Sequence, residues 1–228
     1  MDGFLVIDKP AGMTSRDVVN VAQRWFPRRT KIGHAGTLDP LATGVLVLCI
    51  GAATKLVERV QAMGKTYRTR ILFGFTSNTD DADGTLTAYA VGEVPTEETI
   101  RELLPQFVGE IQQLPPVVSA LKIDGQRAYD LARRGQEVKL QPRAVRVDAI
   151  RLLGYEWPYL DLEIDCGKGT YIRSIARDIG EKLNCGGLVQ SLRRTRIGEF
   201  TVETGIGVDG EAEIARSKLL PSSFIATA

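Results

Sequence analysis

The chain has 228 residues, 43% of them apolar and 25% charged, enough for one sizeable core and ordinary for a soluble globular protein. The net charge of +1 excludes a global excess of Lys and Arg as the basis of nucleic-acid binding and leaves that task to local basic patches. Cys49, Cys166 and Cys185 are odd in number and far apart, there is no C-x-x-C pair, and His34 is the single histidine. A disulfide framework, a zinc site and a Ser-His-Asp hydrolase therefore have little material.

Met1 to Lys9 lacks a basic stretch followed by a long apolar one, so no export is expected, and a reducing cytoplasm suits the cysteines. Phe4 to Ile7 predicts a short strand, stopped by the turn Lys9-Pro10-Ala11-Gly12. Thr14 and Asp17 have capping-box spacing, and Met13 and Val18 can staple the helix start. Val18, Val21, Ala22 and Trp25 then recur at helical intervals until Pro27. The basic cluster Arg24, Arg28, Arg29 and Lys31 follows; it reads equally as a solvated helix end or as a phosphate contact.

Gly33-His34-Ala35-Gly36-Thr37-Leu38-Asp39-Pro40-Leu41-Ala42-Thr43-Gly44 is a polar loop punctuated by glycine. It runs into Val45-Leu46-Val47-Leu48-Cys49-Ile50, too short for a membrane span and suited to a strand buried on both faces. Pro40 pushes Asp39 toward an extended conformation and sets its carboxylate on a stiffened turn. Asp-Pro is also an ordinary turn former, so spacing alone does not make Asp39 catalytic.

Ala53, Leu56, Val57 and Val60 suggest a short helix. Lys65 opens a strand with Tyr67, Thr69, Ile71 and Phe73 on one face and Arg68 and Arg70 on the other; by period alone Tyr67 is a core aromatic. Thr76 to Gly84 is acidic but lacks the EF-hand order, which favours a polar connection over a calcium site. Thr96 caps a helix with the stripe Ile100, Leu103, Leu104 and Phe107, ended by Gly109. Leu114-Pro115-Pro116 to Gln141-Pro142-Arg143 reads as an inserted excursion with a helix over Ala128 to Arg134, made basic by Lys122, Arg127, Arg133 and Arg134. A surface excursion is its default reading, and an arm over RNA the functional one.

Val145 to Leu153 and Leu160 to Cys166 are expected strands, the second alternating between a buried and a wet face. Cys166 to Thr170 leads into a helix with Ile172, Ile175, Ala176 and Ile179 on its apolar side; one Gly-x-Gly and one Lys make neither a P-loop nor a dinucleotide fingerprint. Leu192 to Val202 is a basic strand ending in an apolar one. Strands and helices succeed each other without strict βαβ alternation, so the expected class is α+β with an antiparallel or mixed sheet.

The stretch GHAGTLDPLATGVL, with Lys9-Pro10 upstream and Lys65-Thr66-Tyr67 and Gly169-Thr170-Tyr171-Ile172-Arg173 downstream, closely resembles the TruB-type tRNA pseudouridine-55 synthases. The likeness covers nearly the whole chain in the family's order. It implies the pseudouridine synthase fold: a large mixed, mainly antiparallel sheet with flanking helices and a central RNA-binding cleft. It also implies one catalytic domain over residues 1–228 with the excursion at about 114–143 and, after Leu219-Leu220-Pro221, no room before Ala228 for the C-terminal PUA domain of longer members.

The implied activity is isomerisation of a specific uridine in the T loop of tRNA to pseudouridine, after base flipping. By the resemblance Asp39 is the single essential aspartate, acting as nucleophile or as base at the ribose, and Arg173 pairs with it and favours its ionised form. Tyr67 stacks on the target base and handles a proton, Tyr171 and Leu192 line the pocket, and His34 packs among displaced T-loop nucleotides. Lys65, Gly36 and Thr37 belong to the substrate-binding set. No cofactor and no metal are implied, and the partner is the tRNA T stem-loop, bound by a cytoplasmic monomer without a membrane. Basic segments around Arg28, Arg133 and Arg194 are expected to touch phosphates. Two other readings stay open: a non-catalytic RNA-binding or tRNA-folding protein on the same scaffold, and a small-molecule enzyme using the glycine-rich turns for phosphate.

Overall fold

The computed structural model describes residues 1–117, 122–123, 126–127 and 140–225. Its strands are β1 (Gly3–Lys9), β2 (Ile32–His34), β3 (Thr43–Ile50), β4 (Lys65–Phe73), β5 (Phe75–Ser77), β6 (Leu86–Ala88), β7 (Gly109–Gln113), β8 (Lys122–Ile123), β9 (Gln126–Arg127), β10 (Arg143–Glu156), β11 (Tyr159–Cys166), β12 (Gly187–Ile197) and β13 (Phe200–Thr201). The helices are α1 (Ser15–Ala22), α2 (Val57–Ala62), α3 (Glu97–Leu103), α4 (Ile172–Lys182) and α5 (Ala212–Ser217). The class is the expected α+β, with a large mixed sheet and few, short helices. Two compact units divide the chain: residues 1–67 with 192–228, and residues 68–191.

In the first unit β3 pairs antiparallel with β1 and β2, while Arg193 and Arg194 of β12 lie parallel to Thr43 and Gly44 of β3. Val45 to Ile50 are fully buried, as a continuous apolar run predicts for a strand covered on both faces. Phe4, Val6, Val45, Val47, Ile197 and Phe200 share one core, with the rings of Phe4 and Phe200 edge to face at 5.4 Å. The outer edge of β1 is covered by later chain: Phe4 and Leu220 exchange both backbone hydrogen bonds, and Ile206 bridges Val6 and Asp8. Thr14 and Asp17 form the expected capping box at the start of α1.

In the second unit β10 pairs antiparallel with both β7 and β11. The residues of β11 alternate half-buried and buried, as expected, and Ile71 and Phe73 of β4 are fully buried. On the wet side, Arg68 pairs with Glu163, Arg151 with Glu163 and Asp165, and Arg70 with Asp161. These arginines are engaged by carboxylates across the strands. β10 runs through Arg143–Glu156, longer than the expected strand, because register shifts after Val147 and Leu152 break the inside-outside alternation that would mark its ends. Of the basic excursion, Lys122–Ile123 pairs antiparallel with Gln126–Arg127, and the helix expected over 128–134 lies outside the described residues. Among the described residues no helix is long and apolar enough to cross a membrane.

Candidate active site

The expected site residues fall in both units: His34, Gly36, Thr37, Asp39, Lys65, Tyr67 and Leu192 in the first, Tyr171 and Arg173 in the second. Asp39 is half-buried on the loop between β2 and β3. Each end of that loop carries a glycine in the left-handed region, Gly36 at φ +95° and Gly44 at φ +97°. A Cβ on Gly44 would lie 2.1 Å from the carbonyl oxygen of Arg194, so the close approach of β12 demands glycine there.

The loop's carbonyls are held one after another. Gly36 O accepts from Nη2 of Arg194 at 3.1 Å, and Thr37 O lies 3.5 Å from Nη1 of the same side chain. Leu38 N donates to Ser15 Oγ at 2.9 Å, and that hydroxyl is 3.2 Å from Leu38 O. Asp39 O accepts from Ala42 N at 3.1 Å. Pro40 O accepts from Gly12 N at 2.9 Å and from Lys9 Nζ at 3.3 Å. Ser15, Lys9 and Arg194 are all buried, so these bonds form away from competing water. The carboxylate thus projects from a main chain fixed on both sides.

Within the basic segment around Arg194 that was expected to touch phosphates, Arg194 itself is 1% exposed and points into the protein. The cause is register, since β12 turns Arg194 inward beside Gly44. Its neighbour Arg193 is paired with Asp8 at 2.8 Å and lies 3.3 Å from Thr43 Oγ1. The basic residues Arg24, Arg28, Arg29 and Lys31 are exposed, and Arg133 lies outside the described residues.

Tyr67 and Leu192 are each 8% exposed, and Leu192 O is 3.5 Å from Thr43 Oγ1 at the end of the Asp39 loop. His34 ends β2 opposite Leu48 and is half-buried. Lys65 is buried, and its Nζ donates to Gln61 O at 2.9 Å and Met63 O at 2.7 Å, capping the carbonyls at the end of α2.

In the second unit Tyr171 is the residue before α4, and a side-chain amide holds its backbone. Gln113 Nε2 donates to Tyr171 O at 3.0 Å, and Tyr171 N donates to Gln113 Oε1 at 2.9 Å. Gln113 is fully buried, and the guanidinium of Arg143 lies 4.7 Å from the centre of the Tyr171 ring. Arg173, in the first turn of α4, is 5% exposed; its Nη1 donates to Thr79 O at 2.8 Å and lies 3.3 Å from the carboxylate of Asp81. Asp81 is itself fixed by Thr79 Oγ1 and by Asp83 N. Sequence reasoning treated residues 76–84 as a plain polar connection and missed Asp81, and also Gln113, Ser15 and the inward turn of Arg194. The density of Ser, Thr, Asn and Asp in 76–83 was the one available signal, since such a run satisfies itself internally when buried.

Residues 24–172 match the model of the TruB family pseudouridylate synthase N-terminal domain, and residues 173–209 that of the tRNA pseudouridylate synthase B C-terminal domain. The chain belongs to the TruB family of pseudouridylate synthases. It is an isomerase of that type. It is 49% identical over 218 residues to tRNA pseudouridine synthase B of Ruegeria sp. strain TM1040, covering 95% of this chain and 72% of that one. It is 46% identical to the protein of the same name from Mycobacterium tuberculosis H37Rv, over 92% of this chain and 72% of the relative.

Among solved structures, a chain of a Cbf5-Nop10-Gar1 complex superposes with a TM-score of 0.72 at 30% identity, covering 98% of this chain. A second, in an H/ACA RNP bound to a substrate RNA containing 2'-deoxyuridine, gives 0.71 at 28%. This chain spans 61% and 60% of the length of those two chains. The loop that carries Asp39 lies inside the matched N-terminal family domain, while Arg173 opens the C-terminal match.

Proposed function

We propose that this TruB-family enzyme isomerises one uridine in the T loop of tRNA to pseudouridine, with Asp39 as its essential carboxylate. The observation that carries the reading is the hold on the Asp39 loop: a half-buried acid on a chain whose carbonyls from Gly36 to Pro40 are each engaged. The names of the similar proteins support tRNA as the substrate.

The reaction breaks the bond from ribose C1' to uracil N1, turns the base, and joins C1' to C5; the C5 proton leaves and N1 gains one. Atoms and electrons balance within the nucleotide, so no oxidant or outside group enters. The enzyme's work is to extrude the uridine, retain the loose uracil and provide one acid-base or nucleophilic group at the sugar. In this reading Asp39 is that group, as nucleophile or as base. Arg173 is the guanidinium that pairs with it, its planar fork matching a carboxylate at two points.

Tyr67 stacks on the base and handles a proton, and Tyr171 and Leu192 form the rest of the wall. Stacking suits a base that must turn, because a ring face attracts without fixing an in-plane direction. His34, Gly36, Thr37 and Lys65 contribute to the binding surface around the displaced loop nucleotides.

Incubation with an unmodified tRNA transcript, followed by mapping of pseudouridine by mass spectrometry, tests the reading. A single new pseudouridine in the T loop is expected. Asp39→Asn should keep the fold and bind tRNA yet lose turnover, since the change preserves shape and removes charge. Ordinary turnover by that variant, or modification elsewhere in the tRNA, would overturn the assignment.

A further inference from the structure

We infer that Arg194 is a positioning residue for the catalytic aspartate: its buried guanidinium staples the two ends of the Asp39 loop and thereby fixes where the carboxylate stands. The inference rests on Asp39 being the reactive group, as proposed above.

Arg194 is 1% exposed, and its hydrogen bonds end on main-chain carbonyls. Nη2 and Nη1 reach Gly36 and Thr37, before Asp39, while Nε donates to Val45 O at 2.8 Å, after it. One rigid plane therefore ties the incoming and outgoing arms of the excursion that contains Asp39. The main chain of Arg194 itself abuts Gly44, so the staple and its backing strand move as one piece.

A cation taken out of water is costly, and an apolar side chain of similar volume would serve the core of this unit as well or better. What an apolar side chain cannot do is satisfy three inward carbonyls at opposite ends of a loop. Lysine cannot either: one nitrogen on a flexible stem reaches one arm at a time, whereas the guanidinium spaces its donors across both. Arg193, beside it on the same strand, engages side chains instead, the carboxylate of Asp8 and the hydroxyl of Thr43, and Arg196 donates to the hydroxyl of Thr66. The position of a reacting group matters steeply, a misplacement of about 1 Å costing on the order of 100-fold in rate.

The test compares wild type, Arg194→Lys and Asp39→Asn. For each, single-turnover pseudouridine formation at saturating tRNA is measured per folded molecule, with tRNA affinity and the melting temperature measured alongside. Arg194→Lys is expected to lose about 100-fold in the single-turnover rate, with tRNA affinity changed by less than about threefold. A lower melting temperature is expected in any case and does not bear on the choice. A wild-type rate per folded molecule would make Arg194 a matter of stability only and overturn the inference. So would a loss of affinity with the rate intact, the mark of an RNA contact.

Should Arg194→Lys fail to fold, hydrogen exchange on wild type decides. Slow exchange of the Leu38 and Ala42 amides supports the staple, and rapid exchange of both overturns it. Activity in Asp39→Asn would sink the underlying assignment instead, and the two failures are distinct because each belongs to a different variant.

Discussion

In the Asp39 loop the main-chain carbonyls turn inward, and the groups that hold them are donors: Arg194, Lys9, Ser15 and the amide of Gly12. Around Tyr171 and Arg173 the chain enters a helix, and the holding groups are of the opposite kind. An amide donates and accepts at Tyr171, while a carbonyl accepts from Arg173 and the carboxylate of Asp81 forms an ion pair with it. A loop without regular pairing thus borrows buried cations, and a helix start borrows acceptors for its arginine. Each region presents one charged side chain, negative in the first and positive in the second, from a backbone that has little freedom to drift. Breaking either hold should then disturb the reaction without dismantling the other region, which makes the comparison testable.

The largest effect is expected at the back of the loop. Gly44→Ala puts a Cβ 2.1 Å from Arg194 O at a backbone φ of +97°, and unfolding free energy should fall by about 4 kcal/mol. Gly12 also has positive φ, at +81°, but its Cβ position is open, so Gly12→Ala should cost only about 1 kcal/mol. Urea unfolding of both variants isolates the close approach from the strain of the dihedral. Equal losses would mean that β12 does not back the loop as described.

Next comes Arg173→Lys, which keeps the charge and removes the fork. Single-turnover rate should drop about 100-fold, or roughly 2.7 kcal/mol in transition-state stabilisation. A near-normal rate would show that a point charge suffices in the second region, and the contrast with the planar Arg194 would lose half its content.

The sequence made many of the elements legible, and left the supports of the candidate residues unseen. Phe4 to Ile7, the buried run Val45 to Ile50, the Thr14 cap and the alternation in Leu160 to Cys166 announce themselves because each is a local pattern of period or cap chemistry. Asp39 stands on a visible Gly-rich turn. Arg194, in contrast, sits 158 residues from Gly36 in the chain and looks like one more basic residue in a basic strand. β7, Gly109–Gln113, was not foreseen because a run with three polar residues out of five, of which Gln113 alone is fully buried, carries no strand period. The register shifts in β10 likewise erase the signal on which its length would be read.

A smaller effect is expected at that glutamine. Gln113→Leu keeps the volume and removes both polar atoms, stranding the N–H and C=O of Tyr171, and stability should fall by about 2 kcal/mol. The modification rate should fall as well, with exchange of the Leu38 and Ala42 amides unchanged. Faster exchange at those two amides would show that the two regions do not hold their residues independently.

The smallest effect is a pH dependence that belongs to the second region. Asp80 has a left-handed backbone, φ 59°, and its carboxylate meets Arg177 at 2.8 Å in a largely buried setting. Burial pushes its proton affinity above the ordinary carboxylate value, outweighing the opposite pull of Arg177 and Arg173, and the nearby charge of Asp178 adds to the rise. Burial also raises Asp178 against the pull of Arg177 and Lys182. A carboxyl that binds its proton more tightly folded than unfolded contributes stability below its unfolded pKa and loses that contribution as pH rises through the folded value. Asp80→Asn tolerates the same backbone and still offers Arg177 an oxygen, yet does not titrate. Urea midpoints taken from about pH 4 to about pH 7 should therefore fall less steeply in the variant than in wild type. Identical slopes would mean that Asp80 stays equally charged in the folded and unfolded chain, so that its ion pair with Arg177 offsets the burial in full.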